Sequence, residues 1–262
     1  MPAAWLILPT YNEAENVEPL VRAALASLEE AGVEPHVLIV DDGSPDGTGE
    51  IADRLAGELE PVEVLHRPRK LGLGRAYLAG FAVALERGAD LLLEMDSDFS
   101  HDPADLSRLI SAAGAADLVL GSRYVPGGGI TEWGAVRRLL SRGGSAYARW
   151  LLGIPVRDLT GGFKCFRREV LESVDLEAVH ADGYGFQVEL TYRAVKAGFT
   201  VTEVPIVFRE RRLGRSKMTA RIALEAVWKV PALRLRLRRP PAAAAPAPER
   251  PQQPAGQGGD QH

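Results

Sequence analysis

Short apolar runs alternate with longer segments of helical periodicity through the first half of the chain. The runs are Trp5 to Leu8, Val37 to Val40, Val62 to Leu65, Leu91 to Met95 and Leu118 to Leu120. Each is short, rich in aliphatic residues and bounded by turn formers, the pattern of a strand. The intervening segments predict helices near Glu13 to Ala31, Gly47 to Leu59, Leu73 to Glu86 and Ala104 to Ala113. Such an order predicts β-α-β units and an α/β fold, a mostly parallel sheet with helices on both faces. The near-continuous apolar character of the strands fits burial on both sides.

Each strand gives way to turn chemistry. Pro9-Thr10-Tyr11-Asn12-Glu13, Asp41-Asp42-Gly43-Ser44 and Asp96-Ser97-Asp98 all follow strand ends. In a parallel sheet those ends share the carboxyl edge, where open α/β folds bind ligands. After Tyr124 the texture becomes glycine-rich and basic, with Gly127-Gly128-Gly129, Arg137-Arg138 and Thr160-Gly161-Gly162, and long loops carrying functional residues are expected there. A strand at Val201 to Phe208 is expected to rejoin the sheet. A last helix near Thr219 to Lys229 precedes Pro231 and the arginines 234, 236, 238 and 239. The basic amphipathic segment 220–239 either lies on an anionic membrane surface or a partner, or packs on its own domain with a solvated basic end. Residues 240–262 contain no Leu, Ile, Val or Phe, so a disordered tail is expected to follow a catalytic domain spanning 1–239.

Composition narrows the function. The chain has 262 residues, 46% hydrophobic and 25% charged, with a formal net charge of -4. That balance provides no global field for nucleic acid, so anions must be held by local basic clusters. Cys165 stands alone, which excludes an internal disulfide and fits a small core residue in a reducing compartment. Trp5-Leu6-Ile7-Leu8 lacks the basic flank and length of a signal peptide, and no apolar run reaches the roughly 18 to 20 residues of a membrane span. The expected location is the cytoplasm, at the surface of the membrane's cytoplasmic face.

Asp96 and Asp98 deliver two hard oxygen ligands to the sheet edge, chemistry that suits Mg²⁺ or Mn²⁺ beside a phosphorylated substrate. The same residues also suit a solvated turn or the cap of a helix starting near Pro103. Asp41 and Asp42 can accept hydrogen bonds from a nucleobase or ribose, or simply form a turn; Tyr11 and Glu13 add a ring and an acceptor. The first turn holds no glycine, so the G-x-G-x-x-G of a dinucleotide-binding oxidoreductase is absent where it would be needed. Gly72-Leu73-Gly74 reads as a helix-entry turn. No phosphate-binding G-x-x-x-x-G-K-[ST], no zinc-spaced set among His36, His66, His101, His180 and His262, and no G-x-S-x-G is present.

Seven strings, in order, resemble the inverting family 2 nucleotide-sugar glycosyltransferases, specifically the dolichol-phosphate (polyprenyl-phosphate) mannosyltransferases. They begin at Pro9-Thr10-Tyr11-Asn12-Glu13, Val40 to Thr48, Asp96-Ser97-Asp98-Phe99-Ser100-His101 and Gly121-Ser122-Arg123-Tyr124. Asp158 to Phe163, Gly183 to Glu189 and Arg211 to Lys217 complete the set. The resemblance implies a GT-A-type single-domain fold. It implies that Pro9, Tyr11, Glu13, Val40 and Asp42 hold the guanosine of GDP-mannose. By the same carry-over Asp96, Ser97, Asp98 and Ser100 surround the sugar diphosphate and its metal, the metal ligands being Asp96, Asp98 and Ser100. Arg123, Arg211 and Lys217 would bind donor phosphates; Arg123, Arg137 and Ser141 would grip the acceptor phosphate; Asp98 and Arg123 carry catalysis.

The implied reaction moves mannose from GDP-mannose to a polyprenyl monophosphate with inversion. A phosphate monoester is already nucleophilic near neutral pH, so no strong general base is required. Two alternatives stay open: a family 2 enzyme using another donor such as UDP-glucose, and a non-catalytic nucleotide-sugar-binding protein. Some members of the family carry C-terminal transmembrane helices, whereas this sequence ends in the basic segment and tail, so access to a lipid acceptor calls for a membrane surface or a membrane-anchoring partner.

Overall fold

The computed structural model describes residues 1–179, 184–210 and 230–237. The expected helix near Thr219 to Lys229, the tail 240–262, Arg211 and Lys217 lie outside the described residues. Strands β1 (Ala3–Thr10), β2 (Glu34–Asp41), β3 (Val62–His66), β4 (Leu91–Glu94), β5 (Leu118–Ser122), β7 (Lys164–Arg167) and β8 (Val201–Pro205) form one sheet in the order β3-β2-β1-β4-β7-β5-β8. β1 is parallel to β2 and β4, and β2 to β3. β7 runs antiparallel between β4 and β5, while β5 and β8 are parallel. The carboxyl ends of β1, β2, β4, β5 and β8 therefore share one edge, where antiparallel β7 begins.

Burial follows the strand period of two. Trp5 and Ile7 of β1, with Leu38 and Val40 of β2, pack against Tyr77 and Phe81 of α3 (Leu73–Glu86) and Phe186 of α7 (Tyr184–Lys196). Ala4, Leu6 and Leu8, with Val37 and Ile39, face Leu20, Val21 and Leu28 of α1 (Val17–Glu30) and Leu109 of α4 (Leu106–Ala112). Gly80 lets α3 lie close on the sheet, since a Cβ there would fall 2.4 Å from Ile7 Cγ2.

α2 (Thr48–Glu58) and α3 match the expected helices closely, but three expectations need correction. α1 starts at Val17 rather than near Glu13, because the Glu13 and Ala14 amides donate to Thr48 Oγ1 at 2.9 Å and Asp46 Oδ2 at 3.2 Å instead of entering a helix. The strand at Val201 to Phe208 divides: β8 joins the main sheet, and β9 (Val207–Phe208) pairs with β6 (Gly129–Ile130) in a separate ribbon. Between them, Ile206 N donates to Ser122 O at 3.0 Å and Ile206 O accepts from Gly129 N at 2.9 Å.

The region after Tyr124 is also more regular than the expected loops. It contains α5 (Ala135–Leu152), β7, α6 (Arg168–Ser173) and α7. Gly143-Gly144 inside α5 and Lys164 inside β7 hide these elements from simple periodicity. A further helical segment, 230–236, packs through Val230 and Leu233 into the cluster holding Ala148 and Leu152 of α5. No helix among the described residues is long and apolar enough to cross a membrane.

Candidate active site at the carboxyl edge of the sheet

The first two strand ends build a linked pair of turns. Asp41 fastens its own turn, accepting from Ser44 Oγ at 2.5 Å and Thr10 Oγ1 at 3.3 Å. Asp42 instead receives Arg67 NH1 at 2.5 Å, with both side chains about nine-tenths buried. Burial pushes the Asp42 carboxyl above its usual range, and Arg67 pulls it back. The Tyr11 ring carries the Lys70 ammonium 3.8 Å from its centroid, a cation–π contact. Glu13 accepts from Asn16 Nδ2 at 2.8 Å. Val40 is fully buried with its side chain in the core, so only its backbone borders the edge.

The Asp96-Ser97-Asp98 turn is tied to the first strand end, because Ser97 Oγ donates to Pro9 O at 2.9 Å. Asp98 is buried and accepts from Ser100 N at 3.0 Å. Phe99 between them holds φ of 59°, the left-handed region a non-glycine residue rarely adopts, and such strain collects at functional sites. The Asp96 side chain is 30% exposed. His101 lies behind it with Nδ1 4.0 Å from Asp96 Oδ2, its ring stacked on Phe163 and edge-on to Phe208. Burial lowers its pKa to about 4, so the ring is neutral near pH 7.

These residues fit a divalent cation of the kind expected. Asp96 and Asp98 supply two carboxylates, while no group of three His, Cys, Asp or Glu side chains among the described residues forms a closed cage. Mg²⁺ commonly takes one or two carboxylates and completes its shell with substrate phosphate and water.

Beneath the turn lies a buried ion pair that the sequence reading did not single out. Lys164 Nζ sits 3.3 Å from Glu94 Oε1, both without solvent exposure, and donates to Gln187 O at 3.1 Å and to Gln187 Oε1. Burial drives the Glu94 carboxyl upward and the Lys164 ammonium downward, each opposed by the other's charge. Gly162 fits between this group and the turn. A Cβ there would stand 3.3 Å from Gln187 Nε2 and 3.7 Å from Asp96 Oδ1. The signal available in the sequence was Glu94 at the end of the otherwise apolar run Leu91–Leu93 and Lys164 before the apolar pair Cys165-Phe166.

Arg123, directly after β5, is buried and held by a fork. Its Nε and NH2 donate to Asp158 Oδ2 and Oδ1, each at 2.7 Å, and NH2 also reaches Thr160 Oγ1 at 2.9 Å. Burial alone would raise the Asp158 carboxyl, yet the Arg123 charge and hydrogen bonds hold it below the usual range. The Asp158 amide donates to Glu203 Oε1 at 2.9 Å, which ties the loop to β8. Next to Arg123, Tyr124 Oη donates to Ser141 Oγ at 2.6 Å. Arg137, one turn before Ser141 on α5, lies 3.9 Å from the Trp133 ring centroid and pairs with Glu210 at 2.8 Å. Asp42, Asp96, Asp98, Arg123, Ser141 and Arg137 thus border one edge. Cys165 is buried, its thiol pushed up to about 12, as suits an inert core residue.

Comparison with known proteins gives this edge its context. Residues 5–175 match the family model described as Glycosyl transferase family 2. The polyprenol monophosphomannose synthase of Mycolicibacterium smegmatis is 52% identical over 227 residues, 86% of this chain and 84% of that protein. The undecaprenyl-phosphate mannosyltransferase of Micrococcus luteus is 50% identical over 224 residues, 86% of this chain and 90% of that one. Among solved structures, glucosyl-3-phosphoglycerate synthase from Mycobacterium tuberculosis, in complex with Mn²⁺, UDP-glucose and phosphoglyceric acid, shares the fold with a TM-score of 0.65 at 20% identity, over 89% of this chain and 80% of that one. The architecture is of the GT-A type that the sequence led us to expect, and the chain belongs to the family 2 glycosyltransferases.

Proposed function

We propose that this protein transfers mannose from GDP-mannose to a polyprenyl monophosphate with inversion at the anomeric carbon. The observation that carries the reading is the meeting, at one sheet edge, of the partly exposed Asp96 and buried Asp98 with the anchored Arg123, in a chain half identical to two proteins named for polyprenyl-phosphate mannosyl transfer. Catalysis is assigned to residues 1–239.

Pro9, Tyr11, Glu13, Val40 and Asp42 border the nucleoside half of the donor site. Asp96, Ser97, Asp98 and Ser100 border the diphosphate, and Asp96 and Asp98 would hold Mg²⁺ or Mn²⁺. The bound cation supplies charge neutralisation to the departing nucleoside diphosphate. Asp98, pinned by Ser100 N, keeps its carboxylate at a fixed position, as electrostatic preorganisation requires. Arg123 offers a guanidinium fixed by Asp158 and Thr160, with Arg211 and Lys217 assigned to the donor phosphates. Ser141 and Arg137 receive the acceptor phosphate, which takes the place of Glu210 as the partner of Arg137. The anionic acceptor oxygen attacks the anomeric carbon while the bond to the diphosphate breaks, so no side chain needs to remove a proton.

The test is incubation of the full chain with labelled GDP-mannose and a polyprenyl phosphate, with Mg²⁺, Mn²⁺ or EDTA, and UDP-glucose as the competing donor. Organic-soluble mannose that depends on the cation is the expected product; transfer from UDP-glucose alone would overturn the donor assignment.

A further inference from the structure

Hydroxyl contacts fasten the end of β5 to the buried stripe of α5, on which Ser141 and Ser145 stand one helical turn apart. Arg123 NH2 donates to Thr160 Oγ1 at 2.9 Å, and Thr160 Oγ1 lies 3.3 Å from Ser145 Oγ. One turn earlier, Tyr124 Oη donates to Ser141 Oγ at 2.6 Å. Arg123, fixed at the sheet edge, and Ser141, assigned to the acceptor phosphate, are thereby held in one register, and Tyr124 touches both. Its ring centroid lies 5.2 Å from Arg123 Cζ and 5.8 Å from Arg142 Cζ, within reach of a cation–π contact.

The direction of the short contact decides what Ser141 can do. A phenol is a stronger acid than an alkyl hydroxyl, and its oxygen, conjugated with the ring, is the poorer acceptor, so Tyr124 is the donor. Burial raises the phenol above its usual range against the pull of Arg123, which keeps the proton on Oη at neutral pH. A serine hydroxyl can accept and still donate its own hydrogen. Among the described residues, Ser141 donates to no acceptor.

We propose that Tyr124 is a positioning residue of the acceptor site, its hydroxyl turning the Ser141 hydrogen toward the phosphate of the prenyl acceptor. The inference rests on the function proposed above and deepens it, adding a residue that acts through Ser141 without touching the substrate. A helical serine left to itself turns its hydrogen back onto the carbonyl four residues earlier, here that of Arg137. Occupation of a Ser141 lone pair by Tyr124 opposes that rotamer and leaves the hydrogen available to an incoming anion.

Tyr124→Phe keeps the ring beside both arginines and removes the hydroxyl alone. Calorimetric binding of a short-chain, water-soluble prenyl phosphate, with and without GDP, and steady-state transfer from GDP-mannose are measured for the wild type, Y124F, S141A and Y124F/S141A. Y124F is expected to weaken acceptor binding and raise the acceptor KM on the order of tenfold, the worth of one charge-assisted hydrogen bond, with the KM for GDP-mannose unchanged. Because Tyr124 works through Ser141, the double variant is expected to bind no more weakly than S141A. Wild-type acceptor affinity in Y124F would overturn the proposal. So would losses that multiply in the double variant, or an equal rise in both KM values, the mark of a purely structural residue. A wild type that binds the prenyl phosphate, more tightly than Y124F does, yet transfers no mannose would refute the assigned reaction and leave the role of Tyr124 standing. A wild type that binds no prenyl phosphate under either condition would overturn both.

Discussion

Lys164 and Glu94 meet 3.3 Å apart with no solvent exposure, Glu94 lying two residues before Asp96 in the chain. Two charges this deep lose several kcal/mol of hydration each, and only their mutual attraction and the Gln187 contacts offset it. Removing one partner strands the other. Lys164→Met is therefore expected to destabilise the protein by about 3–5 kcal/mol in urea unfolding. The double variant Glu94→Leu/Lys164→Met should recover most of that loss; a single variant as stable as the wild type would show that the pair is not charged in the folded protein.

Gly162 separates this pair from the Asp96-Ser97-Asp98 turn. Gly162→Ala places a methyl 3.3 Å from Gln187 Nε2 and near Asp96, so a neighbour must give by a few tenths of an ångström. Small displacements of a positioning group cost up to about a hundredfold in rate. We expect kcat/KM to fall on the order of tenfold or more, with Tm nearly unchanged. Steady-state kinetics beside a thermal melt checks both halves.

Arg123 and Asp158 give the stability a defined pH signature. The Asp158 carboxyl is held below its ordinary value near 4, so the stability it contributes is complete above that value and is lost as pH falls through the depressed one. Asp158→Asn should be less stable than the wild type at neutral pH, and the gap should shrink below about pH 4. A gap that widens on acidification would contradict the assigned pairing.

Arg137 presents a planar guanidinium, stacked on Trp133 and paired with Glu210. Arg137→Lys keeps the charge but loses the fork and the stacking geometry. The expected result is a KM for the acceptor raised on the order of tenfold, with donor affinity unchanged, since the substitution removes roughly one charge-assisted hydrogen bond. Varying each substrate separately distinguishes this from a general loss.

Much of the site could be read from the chain because its parts sit at strand ends. Five apolar runs of limited length announced the parallel strands, and the turns after them carried Tyr11, Asp42, Asp96 and Asp98 to one edge. What escaped detection depends on contacts across the sheet. β7 is antiparallel and contains a lysine, so its four residues read as a loop until Glu94 and Lys164 are seen opposite each other in register. Likewise Asp158 and Arg123 are 35 residues apart, and only the fold joins them. α5 hid for a different reason: its outward apolar face and its glycine pair blur the single stripe expected of a helix packed on a core.

Cation-dependent mannosyl transfer at Asp96 and Asp98 is the reaction proposed for the sheet edge. Asp98→Asn keeps an oxygen able to accept from Ser100 N and removes the charge, so it isolates the chemistry from the fold of the turn. The most direct measurement is transfer of labelled mannose from GDP-mannose to polyprenyl phosphate by the wild type and Asp98→Asn, with Mg²⁺ or Mn²⁺ and with EDTA. Organic-soluble product is expected from the wild type with metal, and loss of at least a hundredfold with EDTA or in the variant, the several kcal/mol such a cation contributes. Full activity of a folded Asp98→Asn protein, or turnover indifferent to EDTA, would contradict it.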